Sequence, residues 1–563
     1  MGFAATLALG ALAILVAYAI RRLVKRDSNA RPLPPGPKGL PIVGNVNDLP
    51  KPGVLEAHHW LEHKDRYGQT MVILNDPKLA FELLRDRSNI YSGRPHQNFS
   101  CDLVGWKNAT AMSPYNDYWK IHRKSITKVA SSNISVTAFD RVQEEEAAHF
   151  LMNLLAEPDK LFDHIRTEAG TVILKITYGY TAKNRGKDPL VELAGKAMWA
   201  FTESTVPGKW AVDTFPFLKY LPDGFPGTAY RKPGREMRKA LFDCAEKPYA
   251  FVKRQMREKR AKTSFLSQAI ETIGADDDYM DFVHKWTALS LFTGGADTTV
   301  SSLMTFFLAM TLYPNVQKKA QEELDRVIGA GRLPVAADKD SLPYTYAIML
   351  ETHRWHPILP MGLPHTSDAE DVCKGYRIPK GSILLPNTWY VFSIFIALHC
   401  GFPCTLPCWF PARYIESRRN PSLTTDFLQI SAHFLLPRWY THDPAVYPDP
   451  MTFNPDRFIQ MGTHNPEPDP RNFIFGYGRR ICPGRYVADN ALFITIAQSL
   501  AVFDIKPTDA VPKAEFEPGV LSHPVPYKCR IEPRSAKHRE LIERSEEKYP
   551  WGESDAKELE GIM

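Results

Sequence analysis

"FIFGYGRRICPGR", Phe473–Arg485, sets a single cysteine, Cys482, among glycines and arginines. Glycine lets a chain turn tightly enough for backbone amides to approach a neighbouring sulfur. Amides aimed at sulfur favour thiolate over thiol. Gly478 and Gly484 stand on either side of the turn, Phe475 offers an aromatic shield against water, and Arg480 offers a fork of donors suited to a carboxylate. The run that follows, "YVADNALFITIAQSLAVF" from Tyr486 to Phe503, predicts a helix whose N-terminal dipole also favours the anion. A shielded thiolate of this kind is the axial donor that pushes electron density onto haem iron.

Working outward from the loop, helical patterns dominate from Pro77 to about Arg354. "MVILNDPKLAFELL" (Met71–Leu84) predicts a strand that turns into a helix at Pro77, and "PNVQKKAQEELDRVIG" predicts a helix starting at Pro314 and stopping at Gly329. Asp281–Tyr313 is a long apolar stretch without internal proline, interrupted by "GGADTT", where Gly294 and Gly295 precede Asp297 and Thr298. Mid-helix glycines cost about 0.5–1 kcal/mol each against alanine, so a packing or functional reason is expected for both. Short strand signals cluster in "YRIPKGSILLPNTW" (Tyr376–Trp389) and "GVLSHPVPYKCRIEP" (Gly519–Pro533).

Three more constellations accompany the loop. "WKIHR" places Trp119 and Arg123 one helical turn apart, on one face. "ETHR" gives Glu351 and Arg354 at i and i+3, an ion pair, and "FNPDRF" supplies Arg457 further on. Each is common alone; the ordered set with Cys482 resembles the cytochrome P450 family, from about Pro34 to Pro533, and in particular fungal, basidiomycete-type members that tailor secondary metabolites such as terpenoids or polyketides.

The resemblance implies a mainly α fold with a smaller β part, a long central helix over haem and small sheets. It implies haem b with the Cys482 thiolate as axial ligand, Trp119, Arg123, Arg480 and His365 as propionate contacts, and a helix widened at Gly294 and Gly295 where O2 binds. Asp297 and Thr298 become the acid–alcohol pair that delivers protons, and Glu351, Arg354 and Arg457 a structural triad. Electrons then come from an NADPH-dependent flavoprotein reductase, with Arg471, Arg479 and Arg485 as a basic docking face. Loops Phe99–Met112, Trp199–Phe225, the turn before Gly294, Ile358–Leu363 and Gly519–His523 frame a pocket for an apolar small molecule, to be oxidised by one oxygen atom from O2. The rival activities are a reductase-independent isomerase or dehydratase, against which Asp297 and Thr298 argue, and a non-catalytic haem-binding pseudoenzyme.

With 563 residues, 44% of them hydrophobic, the chain has ample material for a large core. Its eight scattered cysteines do not form a secreted disulfide framework. The net charge of +6 is spread out, without a nucleic-acid motif, so no nucleic-acid partner is expected. Gly2–Ile20 carries no charge and at ~1.5 Å per residue reaches roughly the thickness of a bilayer core. Arg21, Arg22, Lys25 and Arg26 follow at once and should stay on the cytoplasmic side. The expected organisation is a membrane anchor over 1–26, a proline-rich linker over 27–50, a catalytic domain over 51–535 and a charged, solvated, partly disordered tail over 536–563. With the anchor, the expected location is the endoplasmic reticulum membrane, single-pass, with the body facing the cytosol.

Two departures from the family pattern stand out. Residues 391–438 read as an insertion, a retained intron or gene-model error, between "ILLPNTWY" and "WYTHDPAVYPDP". The segment holds Cys400, Cys404 and Cys408, but Pro403, Pro407 and Gly401 disfavour a helix that would gather them, and no partner follows at zinc-ligand spacing. Upstream, Tyr67-Gly68 runs straight into Gln69, where the family has a further strand, so one sheet edge is expected to be missing.

Overall fold

The apolar stretch from Asp278 to Leu312 folds as one continuous helix, and the rest of the molecule is arranged around it. Its start is fixed by the Asp277 carboxylate, which accepts from the amides of Tyr279 (2.9 Å) and Met280 (3.3 Å). It stops because Pro314 holds Tyr313 out of helical geometry and opens the next helix. The computed structural model describes residues 70–130, 132–273, 277–388, 440–462 and 464–562.

The principal helices are α1 (Asp117–Ala130), α2 (Asp140–Ala156), α3 (Leu161–Tyr178), α4 (Pro189–Thr205), α5 (Arg231–Arg257), α6 (Asp278–Leu312), α7 (Pro314–Val327), α8 (Pro343–Trp355), α9 (Arg485–Val502) and α10 (Ala536–Lys548). The strands are β1 (Met71–Leu74), β2 (His365–Thr366), β3 (Asp371–Cys373), β4 (Tyr376–Ile378), β5 (Ile383–Pro386), β6 (Phe503–Pro507) and β7 (Cys529–Pro533). They form a three-stranded sheet in the order β1-β5-β2 and two antiparallel pairs, β3-β4 and β6-β7. β1 runs parallel to β5 with Met71 opposite Ile383, and β2 runs antiparallel with His365 opposite Leu384. Among the described residues, β1 is an edge strand.

Two apolar clusters share α6. Its N-terminal half, through Trp286, Leu289 and Phe292, packs with α4 and α5. Its C-terminal half, through Leu303, Phe306 and Phe307, packs with α2, α7, α8 and α9. The change-over falls at Gly294–Thr299, where a large cavity opens.

Glu351, Arg354 and Arg457 meet as the family pattern implies, each almost wholly buried. Arg354 grips the carboxylate with Nε (2.7 Å) and Nη2 (2.8 Å). Arg457 Nε donates to the same group at 3.3 Å and Asn454 adds its amide at 2.8 Å. Arg354 Nη1 also donates to the carbonyls of Thr441 (3.0 Å) and Pro450 (2.8 Å), so α8 is fastened to the segment leading to the cysteine loop.

The expected anchor and linker, and residues 391–438, lie outside the described residues; among those described, no helix is long and apolar enough to cross a membrane. The two flanks of the internal segment meet. The Thr441 hydroxyl donates to the Thr388 carbonyl at 2.7 Å, while Asn387 and Tyr440 both donate to the carbonyl of Leu74.

The tail departs from expectation. Instead of a solvated end, 536–562 includes α10, which buries Leu541, Ile542 and Ser545, and a short 3-10 turn over Asp555–Leu559. The carbonyl of Tyr549 bonds His149 (3.0 Å) and Trp551 stacks on the same imidazole at 3.9 Å. Glu558 pairs with Arg254 and Arg260, and Asp555 accepts from the Thr181 amide at 2.7 Å. The few apolar residues suffice because they fall on one side, and two of the acids that suggested disorder, Asp555 and Glu558, have partners on the body.

Glu351→Gln is expected to cost about 3–5 kcal/mol, since it leaves Arg354 buried without its anion and Arg457 with Glu467 alone; the denaturant midpoint measures it. A chain lacking 391–438 is expected to keep its thermal midpoint within a few degrees, because the flanks are already joined; loss of folded protein would contradict this.

Candidate active site

The loop Phe473–Arg485 turns under the cavity because its glycines allow it. Gly478 has φ +52°, and a Cβ there would sit 2.4 Å from the Leu84 carbonyl oxygen, so no other residue fits. The turn is closed by the Cys482 amide donating to the Phe475 carbonyl at 2.7 Å. α9 starts three residues after the cysteine, with Gly484 as its cap. Burial pushes the Cys482 thiol up; the Gly484 amide, then Arg123 and Arg485, pull the other way. Of the cysteines among the described residues, Cys482 alone lines the cavity.

That cavity has a volume of roughly 350 Å³ and is bounded by α1, α3, α6, α9 and the cysteine loop. Trp119 and Arg123 of α1 line it together, as their spacing implies. Phe475, Gly484, Arg480 and His365 also line it. Gly478 lies behind the loop instead, against Leu84 and Ser88. The two helix glycines differ in purpose. A Cβ on Gly295 would meet Ile173 of α3 at 2.8 Å, so this glycine serves close helix packing, whereas Gly294 has open space before it.

One rim of the cavity concentrates positive charge. Arg480 donates to the carbonyls of Ser92 (2.8 Å) and Ser113 (2.9 Å), and its guanidinium lies over the Trp119 ring, 4.5 Å from the centroid. Arg123 donates to the carbonyl of Ile481. Arg94, which sequence reasoning missed, also lines this rim, donating to the carbonyls of Ala111 (2.9 Å) and Pro364 (2.7 Å). His365 accompanies them from β2, buried, with Nδ1 2.7 Å from the Tyr91 carbonyl. Burial lowers all four: Arg480 to about 10, and Arg94 and His365 well below their usual ranges, with neighbouring cations adding to the effect. Among the described residues, no carboxylate lies within 4.0 Å of Arg94, Arg123 or Arg480. Buried cations without an anion are costly. The rim therefore fits an anionic group, and the propionates of a haem are of the kind that would meet that need. Arg94 was invisible to spacing arguments; its only local signal is its place between Gly93 and Pro95.

The opposite wall is apolar. Trp106, Phe201, Leu291, Leu359, Leu363 and Leu521 face inward, one or more from each expected pocket loop. Most of Trp199–Phe225 behaves otherwise: Trp199, Phe215, Phe217, Tyr220 and Phe225 are exposed, and Phe201 is the residue of that stretch on the cavity. Thr298 lines the cavity, but its hydroxyl donates to the Gly294 carbonyl at 2.7 Å. Asp297 does not line it; its carboxylate lies 3.3 Å from His523 Nε2. The basic face is smaller than expected, because Arg471 is neutralised by Asp469 and Asp489 and Arg485 folds over Tyr486; Arg479 stays exposed, beside Tyr115.

The family model that matches the chain is "Cytochrome P450", over residues 34–393 and 433–531. The chain is a cytochrome P450. The match passes over 394–432, which falls within the stretch read as inserted. Similar proteins include the cytochrome P450 monooxygenase claR of Ampulloclitocybe clavipes, 39% identical over 94% of this P450 and 91% of that protein. The cytochrome P450 monooxygenase ppsD of Aspergillus oryzae is 37% identical, over 95% of each chain. The O-methylsterigmatocystin oxidoreductase of Aspergillus flavus is 33% identical over 98% of this P450 and 97% of that protein. Two of these relatives are named as monooxygenases and the third as an oxidoreductase, and this P450 is a haem monooxygenase of the same family, whose cofactor is haem with a cysteine thiolate ligand.

Replacing Arg94 with Leu is expected to cut haem retention about tenfold or more, the equivalent of one charge-assisted hydrogen bond. Haem content per chain after gel filtration measures it; full retention would remove Arg94 from the propionate set.

Proposed function

We propose that this P450 is a membrane-bound monooxygenase in which Cys482 binds the haem iron, and which oxidises an apolar small molecule of fungal secondary metabolism with electrons from an NADPH-dependent flavoprotein reductase. The observation that carries the reading is the cavity itself: one cysteine on its floor, unpaired buried cations on one rim and an apolar wall opposite. Haem on a thiolate activates O2 when supplied with electrons. The chain's residues do the rest. Arg94, Trp119, Arg123, Arg480 and His365 hold and orient the propionates, and Trp106, Phe201 and Leu521 exclude water from the substrate. Thr298 and Asp297 are the acid–alcohol pair beside Gly294. Because the Thr298 proton is engaged with the Gly294 carbonyl, this hydroxyl serves as an acceptor and relay until it rotates.

Membrane attachment is supported by the uncharged Gly2–Ile20 and by the exposed Phe215, Phe217, Tyr220 and Phe225, an apolar patch of the kind that marks interaction sites. The location proposed is the endoplasmic reticulum membrane, with the body in the cytosol. Exposed Arg479 suits an acidic flavoprotein.

Carbon monoxide added to the reduced protein is expected to give the red-shifted Soret band of a thiolate ligand, and Cys482→Ser to abolish it. A band unchanged in Cys482→Ser would defeat the assignment. With added reductase, NADPH oxidation must accompany the intact ligand.

A further inference from the structure

The acid of the acid–alcohol pair has a partner that no family motif supplies. His523 belongs to the loop between β6 and β7 and reaches the face of α6 turned away from the cavity, where its Nε2 lies 3.3 Å from Asp297 Oδ1. The two side chains are 21% and 24% exposed, so the pair touches solvent while lying close under the surface. Successive residues on a helix are about 100° apart, and Thr298, next in sequence, faces the cavity. Asp297 thus stands between water and the reaction space.

The mount is firm. One turn along α6, the Ser301 hydroxyl donates to the Ser522 carbonyl at 2.6 Å, and the Ser522 amide donates to the Ile358 carbonyl at 2.9 Å. The Glu517 amide donates to the His523 carbonyl at 2.7 Å. Two residues before His523, Leu521 lines the cavity. One short loop therefore touches both the substrate wall and the acid.

We propose that His523 is the positioning and proton-loading residue for Asp297, holding its carboxylate outward until a proton passes between them. This rests on Asp297 and Thr298 being the proton-delivering pair. In the step, the N–H bond at Nε2 breaks and an O–H bond forms on Asp297 Oδ1. Both partners become neutral, their attraction is lost, and the carboxyl turns toward Thr298. Once the proton is delivered the carboxylate returns, and His523 regains a proton from bulk water. One proton enters from solvent for each one passed inward.

The surroundings favour a loaded imidazole. Burial and the cation Arg166 of α3 work against its charge, while His356 after α8 is kept neutral by burial; Asp297 of α6 and Glu517 of its own loop outweigh them and hold His523 above its usual range. The sign follows: the tether is intact below that raised pKa and is lost as pH rises through it.

The test uses full-length holoenzyme with added reductase and reads the peroxide share of the O2 consumed from pH 6 to 9, with no organic substrate. Proton NMR of the His523 ring is recorded alongside. In the wild type the ring should titrate above the free-histidine value, and Asp297→Asn should bring it down by about one unit or more. His523→Gln, which keeps a hydrogen-bond donor, should raise the peroxide share about twofold or more and remove its pH dependence while leaving the thermal midpoint in place. If Asp297→Asn and Thr298→Ala raise peroxide but His523→Gln does not, the pair stands and His523 is overturned. If neither Asp297→Asn nor Thr298→Ala has an effect, the pair itself falls, and His523 with it. A pH dependence surviving in His523→Gln would reduce His523 to a structural contact and overturn the proposal.

Discussion

One carboxylate without water holds the working face of this molecule together. Glu351 bridges Arg354 and Arg457, Glu467 supplies Arg457 with a second carboxylate, and the remaining donors go to carbonyls of Thr441, Pro448, Pro450 and Thr452. Charges buried this deeply are tolerated only when every donor is satisfied. The knot therefore dictates the path of the chain from 441 to 457, and that path delivers the cysteine loop beneath α6. It is also where the flanks of the internal segment come together, which explains how the chain reaches from β5 to the loop at a fixed distance whatever lies between.

Charge does the opposite work at the cavity. There the guanidiniums of Arg94, Arg123 and Arg480 crowd with no carboxylate in contact among the described residues, held by carbonyls and, for Arg480, by the Trp119 ring, and the desolvation shows in their lowered pKa values. The protein thus carries one completed ionic cluster that fixes its frame, and one incomplete cluster that a bound dianion completes. A ligand that completes the second would couple its binding to folding, as does any ligand that engages only the native state.

How much of this the sequence revealed depends on locality. The cysteine loop, the Trp119–Arg123 pair, the long helix and the Glu351–Arg354 pair are legible because their partners lie within a turn or a tight loop. Arg457 came from order along the chain, and it contacts Glu351. What stayed hidden depends on segments far apart in sequence. Arg94 matters only because β2 and the start of α1 close over it. Asp297 and His523 are separated by most of the C-terminal half. The tail was misread because composition counts its acids but cannot see Arg254 and Arg260 waiting for them. The two glycines of α6 were read as one device, and they are two, one facing a helix and one facing space.

Glu558 and Asp555 reach back to Arg254 at the end of α5, to Arg260 beyond it, and to Thr181 just past α3, so the carboxy terminus acts as a buckle across two helices. Both helices and Leu559 belong to one apolar cluster at this end, so a load on residues 555–559 is carried straight into it.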